Sequence, residues 1–194
     1  MAMKKIQKDH ILKASAEVIE EIGCERLSVR NIAAQLKCST QPIYSEFQSI
    51  EHLKEALVSY INEHYLRTTQ VSYKAFALSF LYFAKDHKEL FKFFYLRRRA
   101  TLFEMEDINQ KKIVSLLADA LELSVKTAGE LHQKMQTYCY ALGVMLASGY
   151  REMSEEQIDN ELVDVFRIVL YYYKNIQTKD TYEYWLERTH HLDV

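Results

Sequence analysis

Proline and glycine are scarce in this chain of 194 residues, which holds one Pro and four Gly. β-Sandwiches and α/β proteins with many tight turns need far more of these residues, because they form most turns. A charge excess of one sign is also lacking, since 25 Lys and Arg face 27 Asp and Glu. The composition therefore predicts an all-α protein, and a polyanionic partner would have to be met by local placement of charge.

Long hydrophobic runs and paired cysteines are absent as well. No stretch reaches the roughly 18 consecutive apolar residues of a membrane span, and no apolar segment of the kind found in secretion signals follows the four lysines of residues 1–13. Cys24, Cys38 and Cys139 form no CxxC pair, and an odd number of cysteines is typical of a reducing compartment. We therefore expect a cytoplasmic protein with no membrane segment, disulfide, metal or cofactor.

Catalytic motifs are missing too. The sequence contains no glycine-rich phosphate loop, no GxSxG and no HExxH, and its carboxylates are spread as they are on ordinary helix surfaces. We therefore do not expect an enzyme.

The first 48 residues carry the pattern of three short helices. Apolar residues recur at every third or fourth position over residues 8–22, and Gly23 follows where a glycine commonly ends a helix. Ser28 is placed to cap a second helix. Ser39 is the predicted N-cap of a third, with Pro42 in its first turn, where the missing N–H costs nothing.

Only Lys37 and Cys38 separate the second predicted helix from Ser39, so these two helices form a helix-turn-helix. Its predicted core consists of apolar residues from all three helices: Ile11, Ala14, Val18, Leu27, Ile32, Ala33, Leu36, Ile43 and Phe47. The outward positions are polar, as a face that reads a DNA groove requires.

Residues 49–194 are predicted to form a larger helical domain. The helical patterns cover residues 53–66, 72–85, 90–99, 108–123, 126–150, 155–176 and 182–188. The second of these is apolar nearly all round, which predicts a helix enclosed by others. Ser154 and Gln157 are spaced as a capping box, and Trp185 is expected to pack back on the domain.

Two of these helices carry wide apolar stripes. The first stripe is Leu131, Met135, Tyr138, Cys139, Leu142, Met145 and Leu146, and the second is Ile158, Leu162, Val165, Phe166, Val169, Leu170 and Tyr173. Two such helices from each of two chains can pair as a four-helix bundle about a two-fold axis, so we expect at least part of each stripe to form a homodimer contact. The alternative is that both stripes belong to the core of a single chain.

The N-terminal segment resembles the TetR family of bacterial transcriptional regulators. The similarity lies in the run from Ile11 to Ala14, in Gly23, in the run from Leu27 to Ala33, and in the run from Ile43 to Phe47, with Leu36, Ser39 and Leu53 also in place. It covers about the first 55 residues without a gap.

This resemblance implies a homodimer whose N-terminal domains bind a palindromic double-stranded operator and whose C-terminal domains dimerise and bind a small-molecule effector. By position, Ser28 and Arg30 would contact a phosphate and a base edge, and Thr40, Gln41 and Tyr44 would face the major groove and its backbone. Ser39 is added to these DNA-binding residues, mainly as a cap. Arginine can bind guanine through two hydrogen bonds and glutamine can bind adenine, which agrees with these roles.

The resemblance also implies a small-molecule pocket, for which aromatic side chains with hydroxyl or imidazole groups suit the lining. The predicted lining residues are Tyr60, His64, Tyr82, Phe94, Tyr95, Arg98 and Tyr138. For any single aromatic residue we expect a place in the core, and for the arginine a place on the solvated surface, so the pocket itself is what the resemblance implies.

Three residues depart from the family pattern. Glu46 stands where the family often has histidine, Ile50 where it often has lysine, and Lys37 where glycine is common in the turn. Relative to the family pattern, this chain has one positive charge fewer and one negative charge more near the DNA phosphates. We therefore expect weaker nonspecific binding to DNA. Lys37 is predicted to adopt a positive φ.

The sequence predicts a DNA-binding regulator, most simply a repressor released from its operator by a small molecule. Two alternatives remain open at this stage. One is a protein of the same fold that acts through a protein partner, and the other is a ligand-binding helical protein whose helix-turn-helix no longer binds DNA.

Overall fold

The computed structural model describes residues 6–66, 72–96, 100–174 and 179–188, without the side chains of 100–109 and 186. Ten α-helices lie within these ranges: α1 Lys8–Ile22, α2 Val29–Gln35, α3 Gln41–Glu46, α4 Ile50–His64, α5 Tyr73–Asp86, α6 Lys88–Tyr95, α7 Ala100–Leu121, α8 Val125–Ser148, α9 Glu155–Lys174 and α10 Lys179–Arg188. A 3-10 turn at Cys24–Arg26 follows α1. The prediction of an all-α protein with an N-terminal helix-turn-helix is confirmed.

The helices group into two compact units. Unit 1 comprises residues 1–67 and 86–97, and unit 2 comprises residues 68–85 and 98–194. This grouping follows packing contacts, and the functional boundary after residue 48 stays a prediction.

Unit 1 is built around α1, which packs against α2, α4, α6 and the 3-10 turn. Ile11 and Ile19 of α1 are fully buried. Gly23 ends the helix at φ +87°, and its N–H donates to the Ile19 carbonyl at 2.9 Å. The predicted helix-turn-helix core is buried as expected apart from Leu36, which is half-buried. This core fixes α2 and α3 against α1.

A hydrogen bond joins α1 to the residue before α6. The Nδ1 atom of His87 lies 2.6 Å from Oε1 of Glu20, and the Tyr65 ring meets the His87 ring edge-on. Burial raises the pKa of Glu20, against the opposing effect of its hydrogen bond with His87. The residue that precedes α6 is thereby held against the first helix of unit 1.

Unit 2 has its core where α7 packs on α8 and α8 packs on α9. Leu117, Leu131 and Phe166 are among its fully or almost fully buried side chains. Trp185 of α10 is buried in the same cluster, as predicted, and the Nζ atom of Lys174 lies 3.3 Å from the centre of its ring. Burial of the indole ties α10 to this core.

The capping box before α9 is confirmed. The N–H of Ser154 donates to the side chain of Gln157 at 2.8 Å, and the N–H of Gln157 donates to the Ser154 hydroxyl at 3.2 Å. Both bonds satisfy backbone donors that have no partner within a helix.

The expectation that the helix over residues 72–85 is enclosed on every side is wrong for the described structure. Tyr73, Leu81, Phe83 and Ala84 of α5 are buried, and the apolar residues between positions 73 and 81 are half-buried. Apolar residues on every face of a helix therefore do not determine how far the rest of the same chain covers each face.

Most of the stripe residues on α8 and α9 are buried within the chain. Leu131, Leu142, Leu162 and Leu170 are among those almost completely covered, which places them in the core of unit 2. Their spacing therefore reflects packing within one chain. Large apolar residues that remain exposed on these two helices are Val125, Tyr140, Met145, Ile168, Tyr171 and Tyr172.

Candidate DNA-binding surface and ligand region

The second helix is positioned by hydrogen bonds at its first turn. The Ser28 hydroxyl accepts from the Asn31 N–H at 3.3 Å, as predicted for an N-cap. The Asn31 side chain donates to the carbonyl of Arg26 at 2.7 Å, which ties the helix to the preceding 3-10 turn. Arg30, which lies between the cap and this anchor, therefore projects from a constrained turn.

The turn between α2 and α3 adopts the strained geometry predicted for it. Lys37 has φ +51°, where a side chain is disfavoured and glycine costs least. The N–H of Cys38 donates to the carbonyl of Ala33 at 3.0 Å, which closes the end of α2. These interactions fix where α3 begins.

The third helix begins later than predicted, so the assignment of Ser39 as its cap is wrong. The N-cap position belongs to Thr40, whose carbonyl accepts from the N–H groups of Ile43 and Tyr44 at 3.2 Å each. No side chain of the described residues caps this helix. Thr40 already has helical backbone angles, and Pro42 has no N–H to offer a cap.

The six predicted DNA-binding residues all reach the surface of unit 1. Arg30, Ser39, Gln41 and Tyr44 are exposed, and Ser28 and Thr40 are half-buried. The neighbouring Ile43 and Phe47 point inward and are almost fully buried. Buried apolar positions and exposed polar positions therefore alternate along α3. This is the pattern of a helix that presents one face to a partner.

An open groove brings part of this set together. Ser28 and Arg30 of the α2 start and Tyr44 of α3 line it, and so do Ser49 and Lys54 from the start of α4. A guanidinium, an ammonium and three hydroxyls all offer hydrogen-bond donors, which suits phosphate oxygens and the acceptor edge of guanine. Thr40 and Gln41 are not part of this groove.

Lys54 is a groove residue that the sequence analysis missed. It lies in the segment that was attributed to the larger domain, and helical periodicity marks only its apolar neighbours Leu53 and Leu57. The signal for it was present in the spacing, because Lys54 follows Ile50 by one helical turn and both residues line the groove.

The predicted ligand-binding residues fall in both units. In unit 1, the rings of Tyr60 and His64 lie 4.1 Å apart, and those of Phe94 and Tyr95 lie 4.7 Å apart. Phe94 is buried in the core, which agrees with the alternative considered for the aromatic residues.

Tyr82 and Tyr138 lie in unit 2, and Arg98 lies outside the described residues. The Tyr138 hydroxyl donates to the carboxylate of Glu161, which also binds Arg151 at 3.2 Å. Burial and this hydrogen bond raise the pKa of Tyr138 to about 12. Tyr138 therefore joins α8 to α9 through a carboxylate.

A buried polar pair in unit 2 was not predicted. The hydroxyl of Tyr73 lies 3.3 Å from Nδ1 of His132, and both residues are buried. Tyr73 also lines a narrow crevice with Lys74, Met135 and Phe166. The volume of this crevice is about 10 Å³, the space of a single water molecule, so the pair of Tyr73 and His132 belongs to a closely packed part of unit 2.

Acid is expected to destabilise the protein through His132. Burial lowers the pKa of this imidazole below its ordinary value of 6.5. Below pH 6.5 the unfolded chain therefore binds a proton that the folded chain does not, and the free energy of unfolding falls as the pH drops. Urea unfolding between pH 7.5 and pH 5.5 should show a smaller loss in His132→Gln than in the unchanged protein. Equal losses in the two proteins would contradict this assignment.

The described part of the chain contains neither a metal-ligand cluster nor a membrane-spanning helix. Within the described ranges, His, Cys, Asp and Glu do not gather in a group of three or more that could hold a metal ion. No helix of the described structure is both long enough and apolar enough to cross a bilayer.

The N-terminal segment matches a known family. Residues 11–57 fit the model described as "Bacterial regulatory proteins, tetR family". This segment contains α2, α3 and the groove residues described above, and the resemblance seen in the sequence is thereby confirmed. No curated protein matches the chain.

Solved structures extend the similarity to the rest of the fold. A TetR-like transcriptional regulator from Rhodococcus sp. RHA1 is 18% identical, with a TM-score of 0.60 over 84% of this chain and 94% of that chain. A variant of TetR from Acinetobacter baumannii AYE, in complex with minocycline, is 18% identical, with a TM-score of 0.59 over 90% of this chain and all of that chain. The chain therefore has the fold of TetR-like regulators over most of its length.

Proposed function

We propose that the protein is a dimeric cytoplasmic transcription factor, a repressor that leaves a palindromic operator when a small molecule binds. One observation carries the DNA-binding part of this proposal. The short helices α2 and α3 expose Arg30, Gln41 and Tyr44 on one module while their apolar residues lock it to α1. Such a module presents base-reading and phosphate-binding groups on a rigid support.

The proposed dimer contact is the exposed apolar part of α8 and α9. Ile168 and Tyr172 lie one helical turn apart on α9, and both are exposed. Two copies of this face would bury it about a two-fold axis, and two helices from each chain would make a four-helix bundle.

Replacing Ile168 with glutamate is expected to shift the protein from dimer to monomer at micromolar concentration, because two carboxylates would meet at the two-fold contact. Val125→Glu is the matched control, since Val125 is 69% exposed and Ile168 is 68% exposed. Val125 begins α8, where an acidic residue is tolerated well. Sedimentation equilibrium gives the masses, and a dimer in both variants would exclude this contact.

The proposed effector enters unit 2 beside the buried Tyr73 and His132, where the crevice has a volume of about 10 Å³ and would have to widen to admit a small molecule. The similar fold of a TetR variant solved with minocycline supports a small molecule as the class of effector. The effector need only bind the DNA-free state more tightly, since its differential affinity sets how far the equilibrium moves. A change in the separation of the two recognition helices would then prevent both from engaging half-sites about 34 Å apart.

Selection from a random duplex library tests the DNA-binding proposal directly. The purified protein should enrich a sequence with two inverted half-sites, because a two-fold dimer reads the same bases twice. The matched control is the double variant Arg30→Ala with Gln41→Ala, which keeps the buried core. Recovery of unrelated sequences by the unchanged, folded protein would contradict the proposal and favour the protein-partner or ligand-carrier alternatives.

A further inference from the structure

The α4 side of the groove in unit 1 carries the ammonium group of Lys54, which is not among the residues proposed above to bind DNA. Lys54 lies on α4, whereas Arg30 and Tyr44 of the same groove lie on α2 and α3. The groove therefore has positive side chains on two different helices. A DNA duplex lying along the groove would meet a positively charged donor from each side.

The charge of Arg30 is uncompensated among the described residues. Its side chain is exposed, and no carboxylate of the described chain pairs with it. The Arg30 guanidinium, the Tyr44 phenol and the serine hydroxyls of the groove are hydrogen-bond donors, and the guanine edges and phosphates of DNA are the acceptors that such groups bind.

Lys54 is only weakly engaged by its own helix. Its Nζ atom lies 3.9 Å from Oε1 of Glu51, whose side chain is 69% exposed. The otherwise equivalent pair on α6, Lys92 with Glu89, is closed at 2.6 Å. A surface ion pair at this longer distance contributes little free energy. The ammonium of Lys54 is therefore available to bind a phosphate instead.

We propose that Lys54 binds a phosphate of the DNA backbone on the α4 side of the groove, opposite Arg30. This inference rests on the proposed function, because it assumes that duplex DNA approaches α2 and α3. Lys54 acts as a point charge and has no geometry for base recognition, so its contact sets the register and the strength of binding without selecting sequence. It supplies positive charge one helical turn after Ile50, a position that carries none.

The salt dependence of DNA binding distinguishes this contact from a structural role. The slope of log K against log salt is negative, and removing one phosphate contact should reduce its magnitude by about 0.9. This corresponds to about fivefold weaker binding at 0.15 M salt. Lys54→Gln should therefore weaken binding to the selected operator and to an unrelated duplex by the same factor. Lys54→Arg should restore both the affinity and the slope.

Lys92→Gln is the matched control. Its side chain is 35% exposed and that of Lys54 is 32% exposed, and both pair with a glutamate three residues earlier. Lys92 does not line the groove, so its replacement should leave affinity and slope unchanged. Fluorescence anisotropy at four salt concentrations gives both quantities, and thermal melting confirms that each variant is folded.

The possible outcomes distinguish the Lys54 contact from the DNA-binding function on which it rests. Binding by the unchanged protein with an unaltered slope in Lys54→Gln would overturn the lysine contact and leave the DNA-binding proposal standing. An equal loss in Lys54→Gln and Lys54→Arg, or an equal loss in Lys92→Gln, would also overturn it, because the charge at position 54 would not be the cause. Failure of the unchanged protein to bind any duplex would remove both proposals together.

Discussion

Replacing Arg30 with alanine is expected to weaken operator binding by about 1–3 kcal/mol, or roughly 5- to 150-fold, if its guanidinium binds a guanine edge through two hydrogen bonds. Arg30 is exposed two residues after the Ser28 cap, on a helix whose first turn is fixed by Asn31. The rigid turn limits the freedom that the side chain loses on binding, which favours a strong contact.

The conservative variant Arg30→Lys separates charge from geometry. Lysine keeps the positive charge but lacks the planar fork, so it should preserve the salt dependence and lose the preference for one base pair. Competition between the operator and a single-substitution series measures that preference. An unchanged base preference in both variants would show that Arg30 makes no base contact.

Replacing Phe166 with alanine is expected to lower the free energy of unfolding by about 3–5 kcal/mol. Phe166 is almost fully buried in the core of unit 2, and its ring lies 5.9 Å from that of Tyr73. The variant would lose the buried apolar surface and leave a cavity that the surrounding helices only partly fill. A loss of this size is a large part of the roughly 5–15 kcal/mol that stabilises an ordinary protein.

Tyr150→Ala provides the comparison for this loss. Tyr150 is an exposed aromatic residue that follows α8, so its removal should change stability by no more than about 0.5 kcal/mol. Urea unfolding of the three proteins gives the differences. Similar midpoints for Phe166→Ala and Tyr150→Ala would contradict the assigned core of unit 2.

The first helix shows what the sequence determines well. Its apolar spacing and Gly23 predict residues 8–22, and α1 has those bounds. The Ser28 cap, the Ser154 capping box and the positive φ of Lys37 were predicted correctly for the same reason. These features depend on residues close together in the chain, whose local chemistry has few alternatives.

Features that depend on tertiary packing were predicted less well. The helical stripes on α8 and α9 have the spacing of a dimer seam, but their leucines lie in the core of the chain. Periodicity identifies an apolar face without identifying what covers it. Phe94 illustrates the same ambiguity, since a ring suited to a pocket is buried in unit 1.

The DNA-binding surface lies between these cases. The resemblance identified Ser28, Arg30 and Tyr44, and the structure brings these three residues to one groove. Lys54 joins them only through the position of α4, and that depends on how α4 packs against α1. A boundary drawn after residue 48 on composition and pattern could not include it.

Anisotropy titration of the purified protein with its own upstream intergenic DNA tests the central claim most directly. The account predicts saturable binding by two chains per palindromic site, which survives an excess of random duplex and weakens as salt rises. A duplex with a single half-site should bind much more weakly, because only one recognition helix of the dimer can engage it. Binding by the folded protein that is no tighter than to random DNA would contradict the account.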